Sequence, residues 1–291
     1  MASESANNKA TDPLERQVDR LLQSRRINAR SGIKTVDLCG VPIDSLTMRG
    51  LLRSVCIQIS ERLPGYIVTP NIDHVCCYHT SEEFRDAYRH ALLSLPDSTP
   101  LLWAGRILNI PLREKLSGSD MIYRLSEFAA KKRFRVYFLG AAEGVADEAA
   151  RRLAALYPGL VVAGTDSPPL GFEKDPALND RVVQRVADSN ADICFVALGS
   201  PKQEVWMRQN SSRSRVPVMI GVGASFDFVA GRVKRAPVWM QRTGLEWFWR
   251  LCHEPRRLWR RYLVYDTLFF WLLGRHVATR FRVRLKGASG G

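Results

Sequence analysis

"ALNDRVVQRVADSNADICFVALGSPKQEVWMRQN", residues 177–210, reads in one pass as helix, strand, tight turn and second helix. Its strand, Ile193 to Leu198, is apolar at every position, which suits a strand buried on both faces in a parallel sheet covered by helices. The same alternation recurs on either side. "YIVTPNIDHV" (66–75) begins as a buried strand and runs into a loop, and "LVVAGTDSPPLGF" (160–172) is a strand followed by a Pro/Gly loop. "FRVYFLGAAEGVADEAARRLAALYPGL" (134–160) gives strand, glycine turn and a helix with an apolar stripe at Val145, Ala149, Leu153 and Leu156. "VPVMIGVGASFDFVAG" (216–231) is one more strand with its loop. The pattern predicts an α/β fold: a Rossmann-like, doubly wound, mainly parallel sheet with a C-terminal basic amphipathic helical appendage. The expected division is a flexible polar arm over 1–31, the Rossmann-like domain over 32–240, and a basic, aromatic, membrane-associating appendage over 241–291.

The chain has 291 residues and 46% hydrophobic content, enough for one large core plus an appendage, but its formal net charge is +14. After Gly231 fourteen Lys and Arg face three acidic residues, so most of the excess lies in the last fifth of the chain. Such a tail meets an anionic partner: nucleic acid, acidic lipid head groups or a phosphorylated substrate. Six cysteines show no zinc-like or redox spacing and are expected to be reduced thiols of a cytoplasmic protein. No signal peptide is expected at the start. The apolar run Thr267–Leu273 is far shorter than the roughly 20 residues a bilayer span needs, so the chain is expected to lie on a membrane rather than cross one.

In a doubly wound sheet, ligands bind beyond the carboxyl ends of the strands, so the post-strand loops are where chemistry is sought. "LGAAEGV", with Gly140 and Gly144, is either a phosphate-cradling turn or simply a tight strand-to-helix turn. In "LGSPKQE" (198–204), Ser200 is placed to cap a helix, Pro201 to occupy its first position and Gln203 to complete a capping box. Capping does not account for Lys202 and Gln203 at a helix N-terminus, where an anion is favoured, so both are candidates for phosphate or sugar contact. "VGASFDFVAGRVKRAP" holds Asp227 and Arg235 either in a packed loop or beside a nucleotide. His74 reads as a structural histidine rather than a general base.

The last segment carries the charge. Within "PRRLWRRYLVY" (255–265), Arg257 and Arg261 share one helical face and Arg256 and Arg260 a neighbouring one, while Leu258, Tyr262 and Tyr265, widened by Trp259 and Leu263, form an apolar side. That is the pattern of a helix lying in a head-group layer, Pro255 starting or kinking it. A nucleic-acid-binding protein would account for the charge but not for an α/β body with pocket loops. A nicotinamide-dependent oxidoreductase would account for the fold, but its Gly-x-Gly-x-x-Gly turn is missing.

The segments "TPNIDHV", "WAGRILNIPLREKLSGSDMI", "FLGAAEGVADEAARRL", "ALGSPKQE", "GVGASFDFVAGRVKRAP" and "GLEWFWRLCHEPRRLWRRYL" resemble, in that order, the WecG/TagA/CpsF family of bacterial glycosyltransferases, from about Val36 to Leu263. The resemblance implies inverting transfer of a hexose or N-acetylhexosamine-type sugar from a UDP-sugar to a polyprenyl-diphosphate-linked saccharide, at the inner face of the cell membrane. It serves exopolysaccharide or cell-surface polysaccharide synthesis, with no metal, cofactor or nucleic acid; a homo-oligomer is left open. By the same resemblance Thr69 and Asn71 line the pocket and Asp97 is the catalytic base, although Ser98 and Thr99 follow it here where the family writes Asp-Gly. Gly140, Lys202, Gln203, Asp227 and Arg235 are then substrate-binding candidates. No Asp-x-Asp metal motif occurs in the chain, so Arg250, Arg257 and Arg260 are the candidates for steadying the leaving diphosphate.

Overall fold

The computed structural model describes residues 32–288; of Arg257, Arg261, Val264 and residues 280–288 the backbone alone is described. The expected arm over 1–31 lies outside these residues.

A two-stranded antiparallel hairpin comes first, β1 (Lys34–Leu38) and β2 (Val41–Ser45). Cys39 and Gly40 form its two-residue turn, both at positive φ, the geometry that matches strand twist in a tight hairpin. The sequence reading did not foresee it, because Cys-Gly is not a familiar hairpin dipeptide. Asp44, fully buried, clamps it to the main sheet: one carboxylate oxygen accepts the Ser94 N–H at 2.9 Å and the other accepts the Thr35 hydroxyl.

The main sheet is wholly parallel and six-stranded. It comprises β3 (Tyr66–Val68), β4 (Leu93–Ser94), β5 (Arg135–Gly140), β6 (Val161–Asp166), β7 (Ile193–Ala197) and β8 (Val218–Gly221), in the order β4-β3-β8-β7-β5-β6. Side-chain alternation sorts its residues into two cores. Ile67, Val136, Phe138, Ile193, Phe195, Val218 and Ile220 face one side. There they meet α1 (Met48–Glu61), α5 (Gly118–Lys132), α6 (Val145–Leu156) and α9 (Ser225–Val229). Tyr66, Val68, Tyr137, Leu139, Cys194, Val196 and Met219 face the other. That side is covered by α2 (Ile72–Thr80), α3 (Glu82–Arg89), α4 (Thr99–Ile107), α7 (Pro176–Asp188) and α8 (Lys202–Ser214). The expected parallel sheet covered on both faces is observed. In α6, Val145, Ala149 and Leu153 are buried as the stripe requires, but Leu156 in the last turn is exposed and Tyr157, the C-cap residue, packs on the core instead.

Four helices end the chain: α10 (Val238–Arg242), α11 (Glu246–His253), α12 (Pro255–Arg260) and α13 (Thr267–Ala288). Pro255 starts α12, as its ring geometry favours. A π-helical turn over Arg261–Tyr265 then breaks the α-helical phase. The continuous apolar side expected across 258–265 is therefore divided: Leu258 is buried in the protein, while Trp259, Leu263 and Tyr265 face solvent. Beyond the turn, Phe269 and Leu272 join the second core with α2, and His276 Nδ1 accepts the Cys39 N–H at 3.1 Å. Among the described residues no helix is long and apolar enough to cross a membrane.

Phe269 is only 2% exposed, so Phe269→Ala should lower the stability of the whole protein by about 3–5 kcal/mol, the usual cost of emptying an aromatic site in a core. Denaturant unfolding checks this, and an unchanged midpoint would show that α13 does not share the body's core.

Candidate active site

All six strands of the main sheet point the same way, so their following loops gather along one edge. The chain leaves β5 toward β6 and leaves β7 in the opposite direction toward β8, which opens a crevice between the loops after β5 and β7. Gly140 closes β5 at φ 107°, and a Cβ there would lie 2.7 Å from the carbonyl carbon and oxygen of Ala197. Only glycine lets the two strand ends approach so closely. On the opposite side of the crevice, Lys202 is ion-paired at 3.4 Å with Glu173, from the turn after β6. The expected Ser200 capping box is not formed. Pro201 takes the N-cap position of α8, one residue later than expected, so Gln203 stands too early in the helix to reach back to Ser200.

Gln203 instead bridges loops. Its Oε1 accepts the Gly223 N–H at 3.1 Å and its Nε2 donates to Glu204 Oε1 at 2.7 Å, both side chains being buried. His74 Nε2 stands 3.9 Å from the same Glu204 oxygen, and His74 Nδ1 is 2.8 Å from the Tyr88 hydroxyl. A buried polar cluster, with His74 in it, thus joins the segments that follow β3, β7 and β8. Thr69 adds a further tie, its hydroxyl donating to Gly221 O at 3.3 Å. Asn71 caps α2 by accepting the His74 N–H at 3.1 Å.

Asp97 lies beside this cluster. Its N–H donates to Pro70 O at 2.8 Å, which sets the loop after β4 against the Thr69–Asn71 loop. The side chain is half-buried. Burial pushes the Asp97 carboxyl well above the usual carboxylate range; Glu246 and Asp120 add to that push, while Lys115 and Arg235 oppose it. Arg235 is held at 2.8 Å by Asp120 and at 3.6 Å by Glu246. Burial alone would raise Asp120 as well, but hydrogen bonds from Arg235 and Ser117 outweigh it and hold that carboxyl low. Asp227, half-buried in α9, has its carbonyl bonded to the Arg232 and Val233 N–H groups at 2.9 and 3.3 Å.

A cavity of about 380 Å³ opens between α4 and α10, with Thr99, Arg106, Lys115, Asp120 and Arg242 in its wall. Gly244 (φ 71°) lets the turn after α10 close on α4, since a Cβ there would stand 3.0 Å from Trp103. Of the three C-terminal arginine candidates, Arg250 and Arg260 are not in its wall, and the Arg257 side chain lies outside the described residues. Arg250 has a buried Nε with no hydrogen-bond partner among the described residues, and Arg260 stacks on Trp259 at 5.3 Å.

The model of the glycosyl transferase WecG/TagA/CpsF family matches residues 36–283. The chain belongs to that family. It is 33% identical over 205 residues (70% of this chain, 77% of the relative) to an N-acetylglucosaminyldiphosphoundecaprenol N-acetyl-beta-D-mannosaminyltransferase of Bacillus subtilis. It is 37% identical over an equal length to the enzyme so named of Bacillus spizizenii, and 27% identical over 236 residues (80% and 91%) to that of Staphylococcus aureus.

For a glycosyltransferase of this family, the structure brings Thr69, Asn71, Asp97, Gln203 and Arg235 to neighbouring loops, with Gly140 and Lys202 at the crevice. Sequence reasoning did not single out Glu204, Asp120, Glu246, Lys115, Arg106 or Arg242. Lys115 and Asp120 stood within "WAGRILNIPLREKLSGSDMI", and Glu204 within "ALGSPKQE", but nothing local says that these charges meet.

Burial raises the Glu204 carboxyl to about 7, against roughly 4.3 in an unfolded chain. The folded protein therefore binds more protons between those values. The stabilisation linked to protonated Glu204 is complete below the unfolded pKa and is lost as pH rises through about 7. Glu204→Gln should match the parent near pH ~4 and below and exceed it above pH ~8, by at most on the order of 4 kcal/mol. Thermal unfolding at both values checks this; a stability difference independent of pH would remove the carboxyl as its source.

Proposed function

We propose that the protein is an inverting, metal-independent glycosyltransferase. It moves a hexose or N-acetylhexosamine-type sugar from a UDP-sugar to a polyprenyl-diphosphate-linked saccharide, in the synthesis of an exopolysaccharide or other cell-surface polysaccharide. The relatives' names support a lipid-diphosphate acceptor and an N-acetylhexosamine as the transferred sugar. The observation that carries the reading is Asp97, a half-buried carboxyl with a raised proton affinity at the strand edge where substrates gather. In an inverting transfer the ionised Asp97 accepts the proton of the acceptor hydroxyl. That oxygen attacks the anomeric carbon from the face opposite the departing UDP.

The donor is assigned to the crevice between the β5 and β7 loops, with Gly140, Lys202 and Gln203 beside it and Asp227 and Arg235 completing the pocket. Arg250, Arg257 and Arg260 are assigned to the leaving diphosphate; the buried Nε of Arg250, without a hydrogen-bond partner among the described residues, supports this. Among the described residues no group of three or more His, Cys, Asp or Glu is gathered to hold a metal, and arginine is the alternative source of positive charge. A peripheral position on the inner membrane face is supported by Trp247, Phe248, Trp259, Phe270 and Trp271, all exposed on a strongly basic tail.

Asp97→Asn removes a charge that burial disfavours, so the variant should fold normally while turnover falls by roughly 10²–10⁴-fold. In the parent, kcat/KM should decline on acidification at a pH above the ordinary carboxylate range, as Asp97 takes up its proton. A folded variant with near-parental turnover would remove Asp97 from the mechanism.

Excess EDTA should change the rate only modestly. An absolute dependence on Mg²⁺ or Mn²⁺ would contradict arginine-based stabilisation of the leaving group.

A further inference from the structure

The cavity between α4 and α10 has a composition that the donor crevice lacks. Arg106, Lys115 and Arg242 converge on it, and among the described residues none of the three makes an ion pair or a side-chain hydrogen bond. The carboxylate in its wall, Asp120, is already engaged by Arg235 at 2.8 Å and by the Ser117 hydroxyl at 2.6 Å. The cavity wall therefore carries an excess of positive charge. Two of these cations stand beside apolar side chains on the same helical face. In α4, Trp103, Arg106 and Ile107 are spaced i, i+3, i+4; in α10, Val238 and Arg242 are spaced i, i+4. Ile107, Val238 and the neighbouring Trp239 are each 60% exposed, an unusual state for large apolar groups.

A ligand matching this pattern carries two or more phosphate charges joined directly to a hydrocarbon. We propose that the cavity is the subsite for a prenyl diphosphate. Arg106, Lys115 and Arg242 hold the diphosphate, and Trp103, Ile107, Val238 and Trp239 receive the first isoprene units as these leave for the bilayer. Calling this ligand the acceptor rests on the glycosyltransferase reading above. Thr99, two residues after Asp97, lines the same cavity, which puts a sugar carried on the diphosphate close to the Asp97 loop. Donor and acceptor diphosphates are then held by separate sets of residues.

The test titrates the full chain with farnesyl diphosphate, UDP and inorganic diphosphate in separate calorimetric experiments. The double variant Arg106→Gln/Arg242→Gln replaces two exposed side chains without ion pairs and should keep the parental unfolding temperature. Its affinity for farnesyl diphosphate should fall about tenfold or more, the loss expected for charge-assisted contacts, with UDP binding unchanged. Trp103→Ala should weaken farnesyl diphosphate but not inorganic diphosphate, which separates a lipid subsite from a plain anion site. Parental affinity for farnesyl diphosphate in the double variant, or no binding by the parent, would overturn the proposal. So would a loss of UDP affinity alone, which would give the cavity to the donor. If the parent binds farnesyl diphosphate through these residues yet neither binds UDP nor transfers a sugar, the subsite stands and the glycosyltransferase reading falls.

Discussion

Gln203 is the bridge on which the geometry of the site depends. Its carboxamide, 3% exposed, joins the start of α8 to the loop after β8 and orients Glu204 toward His74 and the segment after β3. Removing it would leave the half-buried Gly223 N–H without this acceptor, a loss of about 1 kcal/mol. The backbone has been shaped around it: a Cβ on Gly221 would come within 2.8 Å of Gln203 Nε2. Parallel strands deliver their loops to one edge, but hydrogen bonds across that edge fix how the loops stand to one another.

Charge is distributed over the same edge in a graded way. Asp120 and Arg235 neutralise each other at 2.8 Å, with Glu246 at 3.6 Å from the same guanidinium. Among the described residues Asp97 has no comparably close cation, and burial raises its proton affinity while hydrogen bonds hold the Asp120 carboxyl low. Two carboxyls in one site are thus set apart by environment alone. For the role proposed for Asp97, a proton affinity above the ordinary carboxylate range suits a sugar hydroxyl that loses its proton only as the new bond forms.

The C-terminal helices take part in the fold as well as in surface chemistry. Leu258, Phe269 and Leu272 are buried against the body, whereas Phe270 and Trp271, adjacent in sequence, are exposed. Consecutive residues on a helix point in different directions, so one segment presents an apolar face inward and an aromatic, arginine-rich face outward. The π-helical turn over Arg261–Tyr265 resets the phase between the two halves of this segment.

The sequence by itself determined the class of fold and the edge at which the site would lie. Unbroken apolar strands such as Ile193–Ala197 admit only a sheet covered on both faces, and glycine and proline placed after them mark the loops. The motifs carrying the family resemblance led to Asp97, Thr69, Asn71 and Gln203. What only the tertiary structure decided is which charges meet. Asp44 and Ser94 lie 50 residues apart in the chain, and Asp120 and Arg235 more than a hundred. Arg106 and Arg242 share a cavity because Gly244 allows the turn after α10 to close on Trp103. Local propensity encodes periods of two and 3.6 residues, but carries no record of which distant side chain will neutralise a charge. Burial and long-range pairing, which set the proton affinities of Asp97 and Glu204, exist only once the chain has packed.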